Sequence, residues 1–292
     1  MFRGTFTALV TPFRDGALDE AALAQLIEWQ IESGITGIVP VGTTGESPTL
    51  SHAEHTRVIE LAVQVARGRC KVIGGTGSNS TDEAISLTVE AERVGADAVL
   101  LVTPYYNKPT QEGLYRHYKA IAAGTKLPII LYSIPGRCGI EIAVDTAVRL
   151  ARECPNIVSI KEAGGSVDRV SQLRAALPPE FTILSGDDSL TLPFMSVGAS
   201  GVISVASNVI PREMVHLVSS QLNGATNDAQ AAHARYYPLM RDLFIETNPI
   251  PIKTALAFAG RIAPEFRLPL CEMAPANAAK LLATLHSFNL VK

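Results

Sequence analysis

Apolar, β-branched runs recur through the first two thirds of the chain, each followed by a stretch of helical period. The runs cover residues 5–10, 37–41, 71–74, 98–102, 128–132, 157–160, 181–184 and 201–205. The segment DEAALAQLIEWQIES follows the first and DEAISLTVEAERVG the third. Runs that are apolar throughout, not alternating, predict strands covered on both faces, and such strands belong to parallel sheets. Eight strand–helix units in succession close naturally into a (β/α)8 TIM barrel. A doubly wound open sheet is the competing α/β architecture. Its phosphate-binding fingerprints are missing: GGTGSNS does not complete G-x-G-x-x-G, and GTTGES lacks the G-K-[ST] of a P-loop.

The helix starts are marked locally. Ser51 with Glu54, and Ser80 with Glu83, have the spacing of capping boxes, and Thr110 stands just before another helix. Beyond about Pro211 only helical patterns remain, interrupted by NPIP and RLPL. The expected organisation is a catalytic barrel over 1–224, including its last helix, and a C-terminal helical segment over 225–292 packed on it. No Gly/Ser-rich linker separates the two.

Length and composition agree with this. The 292 residues are compatible with one barrel domain, which typically takes about 250. With 47% hydrophobic and 18% charged residues the chain is not of the disordered class. A net charge of −3 with no basic cluster argues against a nucleic-acid partner. No apolar run approaches the roughly 18 residues that cross a membrane, and the N-terminus MFRGTFTALVTPF reads as a strand, not a signal peptide. Four cysteines without a C-x-x-C pairing suit a reducing, cytoplasmic setting. The six histidines form no metal-binding tract.

The chemistry concentrates at the ends of the runs. Lys161 closes the sixth, in NIVSIKEAGG. In a barrel the C-terminal strand ends form the active-site mouth. An ammonium there loses hydration, which disfavours its charged form, and a neutral amine is the nucleophile that attacks a ketone to give an imine. The ordinary alternative is a lysine paired with a carboxylate such as Glu162. Lys71 begins its run, which places it on the opposite, structural face. Hydroxyls and a cation gather around the position of Lys161: Thr43 and Thr44 in GTTGES, Tyr105 and Tyr106 in TPYYNKP, Tyr132 and Arg137 in LYSIPGRCG. A chain of hydroxyls can carry the protons that imine formation demands, and an arginine can grip a carboxylate in bidentate fashion.

Taken together, GTTGES, GTGSNST, VTPYYNKPTQEG, LYSIPGR, IKEAGG, LSGDD, GVISVASN and NPIPIK resemble the dihydrodipicolinate synthase family. That family belongs to the pyruvate-dependent class I aldolase group, which includes N-acetylneuraminate lyase. The resemblance runs in order over nearly the whole chain. It implies a Schiff-base-forming lyase that condenses pyruvate with L-aspartate 4-semialdehyde on the diaminopimelate route to lysine, without metal or organic cofactor. Carried over residue by residue, it makes Lys161 the Schiff-base lysine and Tyr132 the general acid/base. Thr43 would link Tyr132 to Tyr106 of a neighbouring subunit. Thr44 would hold the pyruvate carboxylate, Arg137 would anchor the semialdehyde, and Gly186 and Ile203 would line the pocket. The family is usually a homotetramer, a dimer of dimers. It also implies a feedback site for L-lysine at Ser47, Pro48, His52, His55, Asn79, Glu83 and Tyr105.

Three positions depart from the family pattern: Ser133 for Asn, Cys138 for Thr and Gly164 for Thr. All three lie near the expected pocket for the second substrate. Two other readings compete. A related lyase acting on sialic acid or a 2-keto-3-deoxy sugar acid would generally lack Arg137 and the paired tyrosines. A non-catalytic sensor on the same fold would not need Lys161, Tyr132 and Arg137.

Overall fold

A computed structural model describes residues 2–291. Eight parallel strands close into a barrel: β1 (Gly4–Ala8), β2 (Gly37–Val39), β3 (Lys71–Gly75), β4 (Ala98–Val102), β5 (Ile129–Ser133), β6 (Ile157–Glu162), β7 (Thr182–Ser185) and β8 (Gly201–Ser204). Each pairs with its sequence neighbours, and β1 pairs with β8 to complete the ring, Phe6 opposite Ile203. The eight strands coincide with the eight apolar runs. They are almost wholly buried because side chains fill the barrel inside and helices cover it outside. The sixth strand runs two residues further than its apolar core, so Lys161 lies within it as the penultimate residue.

The outer layer is α1 (Glu20–Glu32), α2 (His52–Ala66), α3 (Thr81–Arg93), α4 (Gln111–Ala123), α5 (Val144–Glu153), α6 (Val167–Ala176), α7 (Thr191–Ser196) and α8 (Pro211–Leu222). In α1, Asp19 accepts from the backbone of Ala22, and Leu23, Leu26 and Ile27 make a buried stripe. Each such side chain contributes about 1.5–3 kcal/mol by leaving water. Gln30, on the same face, is buried but satisfied. It accepts from Thr7 Oγ1 at 2.7 Å and donates to the Ser207 carbonyl at 3.0 Å, bridging the seam where the barrel closes.

Ser51 and Glu54 form the expected reciprocal capping box. At Ser80 only half of one forms. Ser80 accepts from the Glu83 backbone, but the Glu83 carboxylate turns away to Ser78 and His52. Thr110 caps α4 as its position implied.

Three further helices follow the barrel: α9 (Thr226–Asp242), α10 (Ile250–Phe258) and α11 (Pro275–Ser287). They are tied to the barrel by side chains. Arg267 makes a two-point ion pair with Glu54 of α2, at 2.6 and 2.9 Å, and donates to the carbonyls of Thr49 and Gly16. The Arg267 guanidinium holds the Glu54 carboxyl down to about 2. A small hairpin, Phe13–Arg14 against Ala17–Leu18, sits above β1 and has no counterpart in the hydrophobic pattern. Among the described residues no helix is long and apolar enough to cross a membrane.

Candidate active site

The C-terminal ends of β5 and β6 place Tyr132 directly beside Lys161 in the ladder. The Lys161 Nζ stands over the Tyr132 ring, 4.1 Å from its centroid. Lys161 is buried, with 6% of its surface exposed. Among the described residues it makes no ion pair. The alternating pleat explains why Glu162 does not claim it: successive side chains point to opposite faces of a strand. Glu162 faces outward, where its carboxylate accepts from Arg169 Nε at 2.8 Å and from the Gly164 backbone at 2.7 Å. Lys71, by contrast, is exposed at the start of β3 and bound to Asp97 at 2.7 Å.

Gly186, just after β7, keeps space open beside the amine. A Cβ built there would lie 3.0 Å from Lys161 Cε and 2.6 Å from the Ala163 side chain. Its backbone donates to the Glu162 carbonyl at 2.7 Å. Two residues on, the buried Asp188 carboxylate accepts from the backbones of Val205 and Ala206 and so fixes the chain leaving β8. Burial pushes this carboxyl up to about 6. Ile203 is fully buried in β8, its side chain part of the core.

The loop after β2 supplies the hydroxyls. A single 3-10 turn, Thr43–Gly45, carries Thr43 half-buried and Thr44 buried. Val41 and Glu46 bracket it with left-handed backbones, φ 51° and 54°. Such a backbone costs about 1–2 kcal/mol per non-glycine residue. Thr44 is held by a residue to which the sequence assigned no role, although it opens the NPIPIK motif. Asn248, between α9 and α10, donates from Nδ2 to Thr44 Oγ1 at 3.0 Å, and its backbone carbonyl accepts from Arg137 Nη2 at 2.9 Å. One residue therefore ties together the threonine and the arginine. Its own Oδ1 is buried with no hydrogen-bond partner among the described residues. Its signals in the sequence are the NPIP interruption and the NPIPIK motif that it opens, neither of which says what it holds.

Arg137 sits on the one-turn helix Pro135–Cys138 at the rim. Thr43, Tyr132 and Arg137 wall a cleft of about 460 Å³. The same cleft continues to Ser47, Pro48, His52, His55, Glu83 and Tyr105. Asn79 adjoins it, donating to the Tyr105 carbonyl at 3.2 Å. His52 Nε2 and Glu83 Oε1 are 2.9 Å apart. Ser78 and then His52 hold the Glu83 carboxyl below its usual range. His55 meets the Gly75 carbonyl at 2.8 Å, so its Nε2 carries the proton, and burial pushes its pKa down. Among the described residues no group of three or more His, Cys, Asp or Glu is placed to hold a metal ion.

Tyr106 does not join Tyr132 and Thr43 within this chain. It is 90% exposed, at φ 71° on the loop after β4. A bulky residue with a positive φ is uncommon. Of the three departures, Ser133 is buried, with its hydroxyl 3.4 Å from the Ile142 backbone nitrogen. Cys138 is buried and its thiol is pushed up to about 11, which makes it a poor nucleophile. At Gly164 a Cβ would lie 2.7 Å from Glu162 Oε1, so the outward carboxylate occupies the space a larger residue would need.

With this geometry in place, the comparisons with known proteins are specific. The model of the dihydrodipicolinate synthetase family matches residues 1–287. A 4-hydroxy-tetrahydrodipicolinate synthase of Thermodesulfovibrio yellowstonii is 53% identical over the whole of both chains. The structure of the 4-hydroxy-tetrahydrodipicolinate synthase of Methylacidiphilum fumariolicum SolV superposes with a TM-score of 0.98 at 59% identity, covering 99% of this chain and 96% of that one. A dihydrodipicolinate synthase of Cyanidioschyzon merolae, solved with lysine bound, gives a TM-score of 0.97 at 40% identity over 99% of each chain.

Proposed function

The chain belongs to the dihydrodipicolinate synthetase family, and on that premise we infer that it is a Schiff-base-forming lyase that joins pyruvate to L-aspartate 4-semialdehyde. The observation that carries the reading is the unpaired, buried Lys161 against the Tyr132 ring, at the strand ends of a closed barrel. The amine attacks the pyruvate ketone, and water leaves to give the imine. Loss of a methyl proton then gives the enamine, whose carbon attacks the semialdehyde carbonyl. Tyr132 serves as the acid/base next to the nitrogen, passing protons through Thr43. Thr44 receives the pyruvate carboxylate, and Arg137 takes the carboxylate of the second substrate. Gly186 and Ile203 bound the space around the imine.

Tyr106 completes the relay from a partner subunit in a homotetramer. Its exposure supports this, since it stands away from Tyr132 and Thr43 of its own chain. The part of the cleft at Ser47, His52, His55, Glu83 and Tyr105, with Asn79 beside it, takes L-lysine as a feedback inhibitor. Glu83 supplies a carboxylate for an ammonium there. The lysine-bound relative adds support.

The test is a paired assay. Pyruvate should be consumed when L-aspartate 4-semialdehyde is offered and not when N-acetylmannosamine is offered. Consumption with the sugar alone would assign the chain instead to the sialic-acid branch of the group.

A further inference from the structure

The loop bearing Thr43 and Thr44 is strained at both ends, at Val41 and Glu46, and such a backbone persists only where its surroundings over-determine it. At the Glu46 end the surroundings are unusual. Glu46 is buried, and its Oε1 accepts from the Lys253 ammonium, itself 1% exposed. The second oxygen lies 3.4 Å from the Arg267 backbone nitrogen. The Glu46 carbonyl accepts from the Thr49 hydroxyl and backbone, both at 3.0 Å. The Lys253 ammonium has aromatic rings around it, Phe13 at 4.4 Å and Phe266 at 5.1 Å. Both members of the pair come from the motifs GTTGES and NPIPIK, and neither Glu46 nor Lys253 has a role in the imine chemistry itself.

A buried ion pair is a poor way to gain stability. Apolar residues of the same volume commonly do as well, because two ions need not then be stripped of water. What a pair supplies is direction: with Glu46 in this left-handed conformation its carboxylate meets that ammonium. Lys253 lies on α10, five residues beyond the Asn248 that holds Thr44. The segment from Asn248 to Lys253, which leads into α10, therefore grips the loop at two points, one on Thr44 and one on Glu46.

We propose that the buried Glu46–Lys253 ion pair is a positioning device for the reaction: it fixes Thr43 and Thr44 against the imine site, so that a helix outside the barrel sets the affinity for the pyruvate carboxylate. This rests on Lys161 being the imine-forming lysine. The pair touches no substrate and acts through the two threonines.

Two variants test it. Glu46→Leu with Lys253→Met removes both charges at nearly constant volume. Glu46→Asp keeps both charges but withdraws the carboxylate by one methylene. In each, the KM for pyruvate should rise by about 10- to 100-fold, the cost of misplacing a binding group by a fraction of an ångström or more. The KM for the semialdehyde should hold, and saturating pyruvate should still give a full borohydride-trapped adduct at Lys161. A pair that only stabilises the fold would shift the melting temperature and leave the pyruvate KM untouched, and that result in either folded variant overturns the proposal. If the double variant fails to fold, Glu46→Asp decides alone. Wild-type protein that traps no pyruvate at Lys161 would instead overturn the site assignment beneath the proposal, before any variant is made.

Discussion

Replacing Lys161 by Ala is expected to reduce turnover by at least about three orders of magnitude, the scale seen when a covalent nucleophile is removed, while the barrel stays folded. The fold should survive because the amine contributes nothing to it. Among the described residues Lys161 has no ion pair, and its neighbours in the ladder are joined by backbone bonds that alanine keeps. The cost lies in a cavity. Circular dichroism and a melting curve beside the kinetic assay separate the two quantities. Loss of activity together with loss of the fold would mean that Lys161 is structural. Lys253 is the instructive contrast. It too is buried, but it is committed to Glu46 and packed against two phenylalanines. Removing its charge alone strands a buried carboxylate, a change of stability first.

Tyr132→Phe should slow the reaction by about 10²–10⁴-fold, the usual worth of a positioned general acid/base. Tyr132 is buried, and its ring provides the surface over which the Lys161 amine stands. Phenylalanine preserves that ring and removes only the hydroxyl, so the variant isolates proton transfer from packing. Stopped-flow measurement of imine formation should show the defect in the first step as well as in overall turnover, because water must leave the carbinolamine with a proton. If imine formation kept its native rate, the proton would be coming from elsewhere, and Thr43 would lose its place in the relay.

The parts of this molecule legible in its sequence are those set by short-range physics. Each barrel strand must bury both faces, which leaves a run of apolar residues that no helix of that length would need. Ser51 and Thr110 announce helix starts because a cap acts within three residues. Lys161 stands out because an ammonium at the end of such a run has to be explained by chemistry or by a partner. What the sequence hides depends on distant parts of the chain meeting. Asn248 finds Thr44 across more than two hundred residues, and although it opens the NPIPIK motif, nothing local says what it meets. The Phe13 hairpin, with two residues per strand, is too short to leave a period. The spacing of Ser80 and Glu83 misleads because Ser78 and His52 compete for the same carboxylate, and His52 arrives from a different helix. Tyr106 is the limiting case: one chain shows only that its ring is exposed.

Borohydride reduction of the protein in the presence of pyruvate, followed by peptide mass spectrometry, settles whether a free, reachable amine sits at the mouth of this barrel. One reduced pyruvate should be found on each chain, carried by the peptide containing Lys161, with the peptide containing Lys253 unmodified. An unmodified chain, or a label on any other lysine, would contradict imine formation at Lys161 and the carbon–carbon bond chemistry that follows from it.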